Sequence, residues 1–309
     1  MKIILLISFI LFELFATSQT VNGFNINSKI DGTHIVTLND VELHIDPATG
    51  GRISAFQLEG RNFFTGKDKH ETYWGSTFWV SPQKAWNSPN MSTLDREPYS
   101  ISIKDDRVIL KSKIDSITNI SFQKEVSIDV LQNAFVLNYI VKNNSNTDIK
   151  FAPWEVTRVG VNGLSFFPKG AGNVWGSMEP FTKNELGLVW FDYDSSALPE
   201  KHNKFFSDGS EGWLAHVNDS MVFIKVFDDM KLEQAAPQEA EVEVYTNPLK
   251  TYVEVEVQGP YINLKPGNTS NWKVKWYLRK LSGIDKYANK KTLVDFVRKT
   301  IAEKTIKSN

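Results

Sequence analysis

The chain has 309 residues, with 35 Lys and Arg against 36 Asp and Glu, a net charge of −1, and a hydrophobic fraction of 41%. A near-neutral balance excludes the basic excess of a nucleic-acid binder, and this much apolar surface excludes disorder over most of the length. With no cysteine there are no disulfides, thiolate zinc sites, iron–sulfur clusters or cysteine nucleophile.

Met1 and Lys2 precede an apolar run from Ile3 to Phe12, and Ala16-Thr17-Ser18 offers small residues for a cut before Gln19. That order of features predicts a secretory signal peptide over residues 1–18. A membrane anchor is the alternative, but about ten apolar residues are short for ~30 Å of hydrocarbon, and Glu13 interrupts them. The mature protein is therefore expected to be secreted or periplasmic, a monomer, and without stable membrane insertion. From about residue 30 to 280 the hydrophobic period is two. Strands are predicted at 35–38, 41–45, 99–103, 108–112, 120–126, 134–141, 221–227, 240–245, 252–257 and 272–278. Many short strands without alternating helices predict an all-β fold, an antiparallel sandwich or barrel over 19–281. The tail, 282–309, reads as helical: Leu293, Val294, Phe296, Val297 and Ile301 form an apolar stripe between Ile284 and Ile306.

Two segments carry candidate chemistry. Tyr73 to Trp86 holds three tryptophans broken by Gly75 and Pro82, which predicts a loop or ragged strand. Its rings are either a stacking platform for a sugar or a plug at one end of the sandwich. In Tyr252 to Pro260, alternation places Val253, Val255 and Val257 on one face and Glu254, Glu256 and Gln258 on the other. Carboxylates two apart on a strand lie about 6.5–7 Å from each other. In a cleft they would raise each other's pKa and suit general-base work; on an open edge they would only guard it. Asp192-Tyr193-Asp194 and Asp228-Asp229 match no complete calcium loop and read as turn acids. No Gly-rich phosphate loop or Gly-x-Ser-x-Gly elbow occurs, and no cofactor or metal is expected. Asn-x-Ser/Thr sequons begin at Asn90, Asn119, Asn143, Asn218 and Asn268.

Several motifs occur in a telling order. They are Ile45-Asp46-Pro47-Ala48-Thr49-Gly50-Gly51-Arg52-Ile53 with Gly60-Arg61-Asn62, then Trp79-Val80-Ser81-Pro82-Gln83 and Leu94-Asp95-Arg96-Glu97-Pro98-Tyr99. Ala152 to Val159, Gly212 to His216, Phe223 to Phe227 and Glu254 to Gly267 follow. Over residues 30–281 this series resembles the galactose mutarotase-like (aldose 1-epimerase-like) proteins, and a bacterial branch of them above all. The resemblance implies a β-supersandwich with a sugar site on the concave face of its larger sheet, and a mono- or oligosaccharide ligand. Glu256-Val257-Gln258 matches the family's Glu-x-Gln, which implies Glu256 as the base with Glu254 as its neighbour. Where those enzymes carry an acidic His, this chain reads Pro153-Trp154-Glu155, and its five His stand at 34, 44, 70, 202 and 216. His216, on a predicted strand, could enter the site, and Glu155 could serve as acid if burial raised its pKa, an effect Arg158 would oppose. The expected pocket unites Glu256, Glu254 and Glu155 with Trp79, Trp154, Arg158, Lys225, Gln258 and His216. Three functions remain open: an aldose 1-epimerase, a non-catalytic glycan-binding or accessory protein, and a glycoside hydrolase or polysaccharide lyase with Glu155 facing Glu256.

Overall fold

The computed structural model describes residues 15–21, 24–87, 91–284 and 289–303. Residues 1–14 of the expected signal peptide and the sequon at Asn90 lie outside them, and the first described strand, Phe15–Val21, spans the expected cut before Gln19.

Two antiparallel sheets pack face to face. The larger has 13 strands, ordered Phe15–Val21, Phe24–Lys29, His34–Leu38, Val41–Asp46, Arg52–Leu58, Ser76–Ser81, Ile149–Val159, Val253–Gln258, Val242–Thr246, Asn203–Ser207 and Trp175–Gly176. Arg61–Asn62 and Ile262–Leu264 join it off this path. The smaller has ten, ordered Thr182–Glu185, Leu188–Asp192, Leu164–Pro168, Trp213–Asn218, Met221–Phe227, Thr269–Lys280, Ala134–Asn143, Ile120–Asp129, Arg107–Lys111 and Ser100–Lys104. The predicted strands are present, with ends shifted by a few residues. Strands that alternation did not reveal include Arg52–Leu58, Ser76–Ser81 and Ile149–Val159 in the middle of the larger sheet and others nearer the edges of both sheets. Ser76–Ser81, expected as a loop or ragged strand, is regular and buried at all six positions. A strand covered on both faces has no polar side to alternate with.

Aromatic side chains fill the space between the sheets. Phe56, from the larger sheet, meets Phe135, Phe223 and Trp276 of the smaller at centroid distances of 5.5, 5.7 and 5.7 Å. A second apolar cluster lies on the outer side of the smaller sheet, where Leu293, Val294 and Val297 pack with Phe166, Trp213, Ala215, Ile224 and Tyr277. Leu293, Val294 and Val297 belong to the C-terminal helix, Lys290–Ala302, which is capped by the Asn289 side chain accepting from the Thr292 N–H. The helix is shorter than the predicted Ile284–Ile306, starting at the first position after a capping side chain.

One buried cation gives the fold a pH signature. Lys124 donates to the Gly50 and Gly51 carbonyls at 2.7 and 3.2 Å and lies over the Tyr99 ring. Burial pushes its pKa down to about 7, although Asp95 opposes the shift. An unfolded lysine titrates near ~10.4, so between about pH 7 and 10 the unfolded chain holds a proton that the folded one lacks. Stability from this group therefore rises with pH across that window. Urea unfolding at pH 7 and 9 is expected to show this gain in the native chain and lose it in Lys124→Met; an unchanged slope in the variant would refute the assignment.

Candidate functional site

The alternation of Val253–Gln258 sorts its side chains between two buried environments. Val253, Val255 and Val257 enter the core between the sheets, while Glu254, Glu256 and Gln258 turn to the opposite face. All six residues are buried and the strand is paired on both sides, so its acids do not guard an edge. Register sets their neighbours. Trp154 lies opposite Gln258 and Arg158 opposite Glu254. Trp79 lies opposite Trp154 on the next strand outward. On the other side Glu243 faces Glu256, Tyr245 faces Glu254, and Lys204 faces Tyr245.

These side chains border a cavity of about 420 Å³ on the face turned away from the smaller sheet. Its walls are the rings of Tyr73, Trp79, Trp154, Phe206, Tyr245 and Tyr252, and its polar groups come from Gln83, Ser177, His202, Lys204 and Glu254. A concave, largely aromatic site with a few convergent polar groups suits a small organic ligand.

The polar groups are arranged by charge. Lys204 Nζ bridges Glu243 and Glu256, lying 2.9 Å from Glu256 Oε2 and 4.8 Å from the centre of the Trp154 ring. Burial works against the Lys204 charge, but the two carboxylates more than offset it and hold its pKa above that of an ordinary lysine. Glu256 Oε2 also accepts from Trp154 Nε1 at 2.8 Å, and Gln258 Nε2 donates to Glu243 Oε1 at 2.8 Å. Burial raises Glu243 well above the usual carboxylate range, with Lys204 opposing. Glu254 Oε1 accepts from Arg158 Nε at 2.7 Å, and Arg158 Nη1 donates to Thr77 Oγ1 at 2.8 Å. Burial raises the Glu254 pKa; Arg158 pulls it down and Glu256 pushes it further up. The Arg158 guanidinium lies 4.9 Å from the Trp79 ring centre and 5.5 Å from that of Tyr73.

The rings are held from behind. Trp79 Nε1 donates to Asp95 Oδ1 at 2.8 Å, and Arg52, 3.6 Å from the same carboxylate oxygen, donates to the Thr72 carbonyl at 2.8 Å and lies over the Trp74 ring. Gly50, at φ 63°, turns against this group, and a Cβ there would stand 2.1 Å from the Asp95 carbonyl oxygen. Of the three tryptophans between residues 74 and 86, only Trp79 borders the cavity. Trp74 lies under Arg52, and Trp86 packs edge-on against Phe151.

Trp79, Trp154 and Glu254 thus border the cavity, with Glu256, Arg158 and Gln258 buried on the same sheet face. Three expected members do not join them. Glu155 is one residue out of phase with Trp154 and points into the core between the sheets. There it pairs with Lys225 at 2.9 Å and accepts from Trp276 Nε1 and the Tyr139 hydroxyl. Lys225 belongs to the smaller sheet, reaches across the core, and donates to the Val255 carbonyl at 2.9 Å. Glu155 and Glu256 therefore lie on opposite faces of one sheet and cannot flank a common glycosidic bond. His216 sits in the smaller sheet, bonded to Ser165 Oγ at 2.9 Å and edge-on to Phe63.

Sequence reasoning did not single out Lys204, Glu243, His202, Phe206 or Tyr245, and it met Tyr73 and Tyr252 only as the first residues of the two candidate segments. A signal existed for some of them. The predicted strand at 240–245 alternates Glu241, Glu243 and Tyr245 against Val242 and Val244, and it pairs with the strand carrying Glu254 and Glu256.

Two antiparallel sheets with a polar and aromatic cavity on the outer face of the larger one make this a protein of galactose mutarotase-like fold. A galactose mutarotase related enzyme from Lactobacillus acidophilus superposes with a TM-score of 0.57 at 10% identity, over 81% of this chain and 98% of that one. A galactose mutarotase-like protein from Lactobacillus casei ATCC 334 gives 0.56 at 10% identity, over 80% and 100%. A TPR-domain containing protein from Parabacteroides distasonis ATCC 8503 gives 0.59 at 13% identity; 87% of this chain aligns and spans 52% of that one. A search of curated proteins by sequence finds no match. By its sequence the chain belongs to the DUF4380 family, a domain of unknown function whose profile matches residues 94–279.

Proposed function

We propose that this protein binds a saccharide in the cavity beside Glu254. One observation carries this: six aromatic rings enclose about 420 Å³ on the outer face of the larger sheet, with Glu254, Lys204 and His202 among them. Ring faces suit the apolar C–H faces of a sugar, while a carboxylate, an ammonium and an imidazole suit its hydroxyls. The fold shared with mutarotase-related proteins supports the same ligand class. Calorimetric titration with aldoses and their oligosaccharides tests it. At least one is expected to bind, and Trp154→Ala is expected to abolish that binding; silence across the panel would refute the proposal.

A second reading, aldose 1-epimerisation, is favoured by Glu254 and His202 lining one cavity. His202 Nδ1 lies 2.5 Å from the Tyr245 hydroxyl. Burial raises the Tyr245 pKa, and Glu254 raises it further, so the phenol keeps its proton. With the phenol bonded to Nδ1, Nε2 is the ring nitrogen left to face a ligand. Glu256, by contrast, does not border the cavity and is held behind its wall by Lys204 and Trp154. On this reading Glu254 takes the anomeric hydroxyl proton, a part the family motif assigns to Glu256. Polarimetric mutarotation would be lost in Glu254→Gln with its fold intact; a catalyst unaffected by that change would sink the assignment.

A further inference from the structure

Trp175 stands at the outer edge of the larger sheet, on the two-residue strand Trp175–Gly176. It is 43% exposed, the most exposed of the nine tryptophans. A single exposed ring is ordinary on a protein surface. This one is fixed in place. It lies directly opposite Phe206 in register, and the two rings stack with centroids 3.9 Å apart and planes 7° from parallel. Phe206 in turn borders the cavity, as does Ser177, two residues beyond Trp175. Gly176, at φ 110°, lets its strand come so close that a Cβ would lie 2.5 Å from the Lys204 carbonyl oxygen. The backbone is thus built to hold the indole beside the cavity.

Register also gives the direction. Trp175, Phe206, Glu243 and Glu256 occupy one cross-strand row. The strand of Trp154 lies four strand spacings from that of Trp175, roughly 19 Å across the sheet. That is several times the width of one pyranose ring. A single sugar seated against Trp154 would leave Trp175 uncovered, while a linear glycan crossing the strands would reach both.

We infer that the cavity is one end of a longer groove and that the Trp175–Phe206 stack is a second subsite, making the ligand an oligosaccharide or the end of a polysaccharide. This rests on the saccharide proposal above. The experiment is calorimetric titration with glucose, galactose, mannose and xylose, each beside its linear oligosaccharides up to the hexasaccharide, for the native chain, Trp175→Ala and Trp175→Phe. The native chain is expected to bind a penta- or hexasaccharide at least about tenfold tighter than its monosaccharide. Trp175→Ala should erase that gain without changing monosaccharide affinity, and Trp175→Phe should keep most of it. Equal affinity for short and long ligands, or a gain that survives Trp175→Ala, would overturn the subsite and leave saccharide binding intact. No binding by any of these sugars would overturn both. Because the ring is at the surface, the variants should fold, and an unchanged melting temperature checks this.

Discussion

Replacing Lys204 by methionine is expected to destabilise the protein by about 3–5 kcal/mol at neutral pH, the usual cost of removing one partner from a buried charge cluster. Glu243 and Glu256 are fully buried and both lie against the ammonium, so the variant leaves two carboxylates facing each other without a cation. Burial already holds Glu243 well above the unfolded value of about 4.3, and without the opposing ammonium its pKa would rise further. A folded chain that holds a proton which the unfolded chain releases loses stability as pH rises through that interval. The deficit should accordingly be smaller at pH 5 than at pH 8. Urea unfolding at the two pH values measures it, and a deficit independent of pH would show that the carboxylates do not titrate as described. Adding Glu243→Gln should recover part of the loss, because one of the two uncompensated charges is gone. Ligand binding should fail in both variants, since Lys204 borders the cavity and lies over the Trp154 ring.

The pair Glu155–Lys225 predicts a loss of similar size with a different signature. Lys225→Met leaves Glu155 buried between the sheets with only the Tyr139 and Trp276 donors, and about 3–5 kcal/mol should be lost. Glu155→Leu alone leaves the Lys225 ammonium equally stranded. Burial already lowers the Lys225 pKa, with Glu155 opposing, so losing Glu155 is expected to lower it further. The double variant Glu155→Leu/Lys225→Met should be less destabilised than the two single losses added together, because an apolar pair suits the surrounding core. Ligand affinity of the folded variants should match that of the native protein, as neither residue borders the cavity. Calorimetry and urea unfolding on the same samples separate the two effects. A folded Lys225→Met that no longer binds would contradict the placement of this pair.

These two clusters mark how far the sequence could be read. The valines and glutamates of Val253–Gln258 alternate so regularly that strand, faces and acidic row could be seen at once. Ser76–Ser81 gave no such pattern, because both its sides are buried and only its rings and Pro82 stood out. Glu155 was legible but misjudged. Trp154 and Glu155 are adjacent on one strand, so a cavity containing the first already excluded the second by the two-residue period. Lys204 was beyond reach, since it meets Glu243 and Glu256 only through strand pairing at sequence separations that no local pattern encodes. His202 lies just before the strand Asn203–Ser207, where no periodicity points inward.

The two tryptophans at the centre of the cavity have a shared peculiarity. Each indole N–H is already given to a carboxylate of the protein itself, Trp79 to Asp95 and Trp154 to Glu256. Indole has no other donor and no acceptor. These rings can therefore offer a ligand only carbon surface, and Lys204 over Trp154 and Arg158 over Trp79 leave little of it uncovered. They discriminate by the relief of what remains rather than by hydrogen-bond pattern. The stereochemistry the cavity accepts is thus set by how firmly two carboxylates keep two rings from turning.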